Sequence, residues 1–130
     1  MKVIDGKGAI LGRLASYVAK EALRGEDIAV VNCEEIIITG NRKSIEKNFI
    51  DKRQRVGSTQ KGPKVSRLPH LIVKRVIRGM LPNYREGRGR VAFKKIKCYP
   101  RVPEEFKDSK KIVSGKTHKS KFILVKEIPR

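Results

Sequence analysis

The chain has 130 residues and a formal net charge of +19, from 32 Lys and Arg against 13 Asp and Glu. A compact body with that excess repels itself, and solubility does not demand it, so a polyanionic partner is expected. A membrane surface is disfavoured as that polyanion, because no apolar run approaches the roughly 18 residues of a spanning helix and no signal-peptide or lipidation pattern is present.

The length predicts one domain over residues 1–130, large enough to bury a substantial core. Lys2 to Asp5 reads as a short strand, followed by a Gly6-Lys7-Gly8 turn. From Ile10 to Arg24, the apolar stripe Ile10, Leu11, Leu14, Ala15, Val18, Ala19, Ala22 and Leu23 predicts an amphipathic helix ended by Gly25. Ile28 to Asn32 is a short, continuous apolar run rich in β-branched residues, suited to a strand covered on both faces. Ile36 to Thr39 is a second such run, broken by Gly40. Asn41 then suits the N-cap of a helix over Arg42 to Gln54, with Ile45, Phe49 and Ile50 inward.

Val56 to Leu68 reads as a long exposed loop with basic periodicity, expected to be mobile without a partner. Pro69 suits the first turn of a helix from Leu71 to Leu81, with Ile72, Val73, Val76, Ile77 and Met80 inward and Lys74, Arg75 and Arg78 outward. Gly79 suits its end. Arg85 to Arg90 reads as a Gly-rich cationic link, Arg90 to Ile96 as a short helix, and Lys97 to Tyr99 as a strand. Beyond Pro100, one helical turn over Pro103 to Lys107, a polar Lys-rich segment over Ser109 to Ser120, and a β-like run over Phe122 to Val125 complete the chain. The order of elements predicts an α/β layered fold with a small, mainly parallel sheet.

The charge is unevenly distributed. Met1 to Asn41 hold 5 basic and 6 acidic residues, whereas Arg42 to Arg101 hold 19 basic and 3 acidic, a net of +16. The first third is therefore an ordinary scaffold, and the basic region over about residues 42–101 has the footprint of a nucleic-acid-binding surface. Its Gly-rich segments allow close approach to a phosphate backbone, its Arg forks match phosphate bidentately, and Lys adds point charge. Tyr84 and Tyr99 are its only exposed-looking rings, and no RNP, GXXG or zinc-finger pattern appears. Recognition of the backbone and shape of a folded RNA fits better than base stacking or sequence reading of DNA.

Other chemistries are thin. Gly6 to Gly12 follows a strand and opens a helix, but its third glycine is one position too far for G-x-G-x-x-G, and no Walker pattern is present. Adjacent Glu34 and Glu35 point to opposite sides of an extended chain, so they do not form a carboxylate pair. His70, at a helix start, reads as a surface residue, and nothing supplies a nucleophile, base and orienter together. Cys33 and Cys98 read as free thiols in a reducing compartment, and no metal site or cofactor is expected.

Asp5-Gly6 with Gly12-Arg13-Leu14-Ala15-Ser16, Val30-Val31-Asn32, Ile38-Thr39-Gly40-Asn41, Arg78-Gly79-Met80-Leu81-Pro82, and Gly89-Arg90 with Ala92-Phe93 and Lys97-Cys98-Tyr99 together form an ordered set of motifs. The set closely resembles the large-subunit ribosomal protein L-thirteen family. Lys61-Gly62-Pro63 with Leu68-Pro69 is similar to archaeal and eukaryotic members. The resemblance implies a three-layer α/β/α fold with a largely parallel four-stranded sheet and a basic helical and loop extension. It also implies binding to large-subunit ribosomal RNA, neighbouring large-subunit proteins as partners, a structural role in subunit assembly in the cytoplasm, a monomer within the ribosome, and no catalysis or small-molecule substrate. Family members continue into a further helix, whereas this chain stops at Pro129-Arg130.

The residues expected to neutralise phosphates are Arg53, Arg55, Lys61, Lys64, Arg67, Lys74, Arg75, Arg78, Arg85, Arg88, Arg90, Lys94 and Lys95, with Arg42, Lys43 and Lys47 in second rank. The alternatives are a messenger-RNA-binding regulator outside the ribosome and a small nucleotide-binding enzyme using the Gly6 to Gly12 turn.

Overall fold

Strands β1 (Lys2–Asp5) and β2 (Ile28–Val31) pair in parallel, joined through helix α1 (Leu11–Leu23), so the first third of the chain forms a βαβ unit. A computed structural model describes residues 1–55, 65–109, 111–113 and 121–128. Val30 of β2 lies opposite Cys98 of β4 (Ile96–Cys98), and Ile4 of β1 lies opposite Ile112 of β5 (Lys111–Val113), giving a four-stranded, all-parallel sheet in the order β4-β2-β1-β5. β2 is buried along its whole length, as its unbroken apolar run requires. β5 was not read from the sequence. It is a three-residue edge strand inside a polar, Lys-rich segment, held by pairing to β1 rather than by a pattern of its own.

The two faces of the sheet are covered unequally. Ile4, Ile28, Val30 and Ile96 face the larger core with Leu14, Ala15 and Val18 of α1, Ile72, Val73 and Ile77 of α3 (Pro69–Gly79), and Ala92 of α4 (Gly87–Lys94). Val3, Ala29 and Val31 face a small cluster closed by Phe106 in a 3₁₀ turn at Glu104–Phe106, with Tyr99 and Val102 at its margin. Alternation along each strand makes this division, because side-chain direction has period two. The α/β class and parallel four-stranded sheet are as expected, and the layer over the second face is thin.

The Ile36–Thr39 run does not join that sheet. Asn32 takes the left-handed conformation at φ 56°, a 3₁₀ turn follows at Cys33–Glu35, and β3 (Ile37–Thr39) pairs antiparallel with β6 (Phe122–Leu124) in a separate ribbon. Asn tolerates this backbone better than most residues, and its side-chain amide donates to Asp5 at 2.9 Å. The ribbon still feeds the main core through Ile36, Ile123 and Val125.

Several inward assignments are corrected. Leu23, Ile50 and Met80 are exposed, because each stripe drifts off the contact face near a helix end. Glu21, placed outside the stripe of α1, is buried, where it accepts hydrogen bonds from Lys2 and Arg24. The bond from Lys2 holds its carboxyl below the ordinary value. His70 is half-buried, with Nδ1 unpaired among the described residues.

Helix α2 (Arg42–Gln54) begins and ends where the sequence predicted, but it buries only Ile45, with Phe49 half-buried. A helix with so little packing depends on its terminus. The Asn41 side chain accepts from the Lys43 amide at 3.1 Å. Asn41→Ala should cost about 1 kcal/mol of local stability. Hydrogen exchange should report it as faster exchange in the first turn of α2, with α1 unaffected.

Candidate nucleic-acid interface

The basic residues are brought together by the way α2 and α4 flank α3. Arg53, near the end of α2, faces Arg67, just before α3; burial first, and then the Arg67 charge, lowers the Arg53 guanidinium from its ordinary value. Lys52 of α2 and Arg75 of α3 border one groove, and Lys74, Arg75 and Arg78 of α3 border a second with Phe93 of α4. These residues form a continuous cationic strip across three elements. Lys52 belongs to it although it was not among the candidate residues, since in sequence it is one of several lysines on a charged helix.

Aromatic rings hold part of the strip in place. Lys74 sits 5.0 Å from the centre of the Phe93 ring. Arg78 lies 4.6 Å and Arg85 5.4 Å from the centre of Tyr84, whose ring meets Phe93 at 5.9 Å. Arg85 Nε donates to the Tyr84 hydroxyl at 3.2 Å, and that bond holds the phenol below its ordinary value. Each cation–π contact contributes about 0.5–1 kcal/mol at an exposed site. The rings therefore order the cations without neutralising them, and Tyr84 serves as their platform rather than as an open stacking surface. Tyr99 is turned away, against Phe106 at 5.7 Å.

Ion pairs between described residues lie mostly elsewhere. They join Lys2 and Arg24 to Glu21, Arg42 to Glu46, and Arg101 to Glu34. Arg42 is thus partly answered within its own helix, and Arg42, Lys43 and Lys47 occupy the exposed amino-terminal half of α2, away from the grooves. Arg55, Arg88 and Arg90 are exposed. Lys94 and Lys95 form a second locus with Lys97 around Met1 and Asp27, where Lys95 Nζ donates to the Gly25 carbonyl at 3.0 Å. Lys97 joins this locus through the edge position of β4, which its sequence neighbourhood does not reveal. Lys61 and Lys64, with residues 56–64 of the expected loop, lie outside the described residues, as do residues 110 and 114–120.

The Gly6 to Gly12 turn is used internally. The amides of Gly6, Gly8 and Ala9 donate to the carbonyls of Val31, Glu35 and Gly6, and that of Lys7 donates to the Asp5 carboxylate at 3.0 Å. A Cβ on Gly6 would lie 2.8 Å from Ile36 Cγ1, so this glycine answers to packing. A phosphate would find these donors already committed. Cys33 and Cys98 are free thiols brought together by the β2–β4 pairing; a hydrogen bond to Cys98 and burial push the Cys33 thiol up. Among the described residues no group of His, Cys, Asp and Glu is arranged to hold a metal, and no helix is long and apolar enough to cross a membrane.

A family model described as Ribosomal protein L13 matches residues 1–105. Over 133 aligned positions the chain is 45% identical to the large ribosomal subunit protein uL13 of Methanocaldococcus jannaschii, an alignment spanning all of this chain and 96% of the relative. The uL13 protein of Methanosarcina barkeri is 50% identical over 113 positions, covering 86% of this chain and 79% of the relative. That of Archaeoglobus fulgidus is 40% identical over 134 positions, covering 98% and 85%. All three are archaeal proteins, in keeping with the resemblance seen around Lys61–Pro63 and Leu68–Pro69.

Proposed function

The chain belongs to the ribosomal protein L13 family, and from that membership we propose that it is a structural constituent of the large ribosomal subunit in the cytoplasm, binding ribosomal RNA through its phosphate backbone and supporting subunit assembly. The family is one of structural proteins without enzymatic activity. Neighbouring large-subunit proteins are its other partners.

The observation that carries the RNA reading is the cationic strip from Arg67 across Lys74, Arg75 and Arg78 to Arg85, ordered on Tyr84 and Phe93, with Arg53 behind Arg67, its Nε and one terminal nitrogen buried. Like charges held this close raise the energy of the free protein, and a row of phosphates relieves it. Arg55, Arg88 and Arg90 extend the reach of the strip, Lys94 and Lys95 form a second contact, and Lys61, Lys64, Arg42, Lys43 and Lys47 add peripheral charge.

The test is affinity for protein-stripped large-subunit RNA across a salt series. The logarithm of the binding constant should fall linearly with that of salt, with a slope of about −5 if six to eight phosphates are engaged. A slope near zero, or displacement of the RNA by millimolar mononucleotide, would overturn the proposal.

A further inference from the structure

Among the described residues, the groove between α2 and α3 is open beside Gly79. Gly79 ends α3, as the sequence suggested; it is the last helical residue, outside the left-handed region, and Met80 takes the cap position. A Cβ on Gly79 would meet no heavy atom of the described residues within 4 Å. Among those residues neither backbone nor packing asks for glycine here, and glycine is a poor helix former. Its absent side chain leaves space in a groove of about 230 Å³.

The lining of that groove specifies an occupant. Phe49, Val65, Leu71, Ile72 and Val76 contribute apolar surface and Ser66 a hydroxyl, while Arg75 and Lys52, whose Nζ lies over one face of the Phe49 ring at 5.8 Å from its centre, add the charge. No acidic residue among those described lines it. A bare phosphate would leave the apolar floor wet, and an aliphatic side chain of a protein partner would leave both cations unanswered. An aromatic ring joined to a phosphodiester satisfies both.

We propose that the α2–α3 groove receives one unpaired, extruded nucleobase of the bound RNA, with its flanking phosphates on Lys52 and Arg75. This rests on the RNA-binding reading above and adds one base seat to it. The base must be unpaired, since its faces and edges are accessible only outside a helix. The apolar floor grips the faces of the base, so the seat selects for an extruded nucleotide more than for its identity.

Gly79→Leu fills the groove without removing a charge. Against protein-stripped large-subunit RNA at fixed salt, it should bind about tenfold more weakly, within the range for losing one stacked base. Its salt slope should match that of the unaltered protein, and its melting temperature should be unchanged or slightly raised. Phe49→Leu, which keeps the floor apolar but removes the flat ring, should also bind more weakly at unchanged slope. Ultraviolet crosslinking should place a nucleotide adduct on the peptide carrying Phe49 in the unaltered complex, and Gly79→Leu should abolish it. Unaltered affinity for both variants would overturn the base seat while leaving salt-steep RNA binding, and hence the proposed function, intact. If Gly79→Leu binds naked RNA normally but is missing from assembled subunits, a protein segment occupies the groove and the nucleotide assignment fails. If the unaltered protein shows no salt-steep binding, the functional reading itself fails.

Discussion

Arg75→Ala combined with Arg78→Ala should weaken binding to large-subunit RNA by about 100-fold, or roughly 3 kcal/mol, at near-physiological salt. Each charge-assisted hydrogen bond contributes about 1.5–3 kcal/mol, and two neighbouring ones do not add fully. The slope of the salt series should become shallower by about 1.5, since two phosphate contacts are lost. The fold should persist. Arg75 is exposed, and Arg78 gives up its stacking on Tyr84. Filter binding on a double mutant with a native circular-dichroism spectrum makes the comparison. Native affinity and native slope in that protein would remove α3 from the interface.

Gly89→Ala should be the most damaging small substitution in the basic region. Gly89 is buried in the first turn of α4, and an added Cβ would run into the backbone carbonyls of Pro82 and Asn83. Backbone cannot rotate aside as a side chain does, so α4 must lift off the turn that precedes it. The expected loss is about 3 kcal/mol, the upper part of the usual range for overpacking. That corresponds to a fall of about 10 °C in melting temperature for a chain of this size. Gly12→Ala is the control: no atom of the described residues lies within 4 Å of its would-be Cβ, and it should be neutral or slightly stabilising. Equal melting temperatures for the two variants would mean that α4 is not seated against residues 82–83. RNA binding should fall with Gly89→Ala as well, because Phe93 on α4 holds Lys74.

The two glycines show why the basic region was only partly legible. In sequence, Gly87 and Gly89 among arginines resemble a flexible link, since glycine disfavours helices. In the fold, Gly89 is helical because only a residue without a side chain can pass the Pro82–Asn83 carbonyls. At Gly79 the expected helix end is where α3 stops, but the backbone there is helical, and the glycine borders a groove that the sequence does not reveal. Propensity describes a residue in isolation, whereas these two positions are set by what lies, or does not lie, beside them.

The same distinction runs through the whole chain. Periodicity and β-branching were enough to locate α1, β2 and the full span of α2, because burying an apolar stripe is a local requirement that each segment states for itself. The excess of cations in residues 42–101 likewise follows from composition alone. Tertiary structure decided that Ile37–Thr39 leaves the main sheet, that Lys111–Val113 completes it, that Tyr84 and Phe93 hold cations instead of lying open, and that Lys52 faces Arg75 across a groove. Each of these depends on residues from different elements or turns meeting in space, most of them distant in sequence, and no periodic pattern within one segment encodes such a meeting.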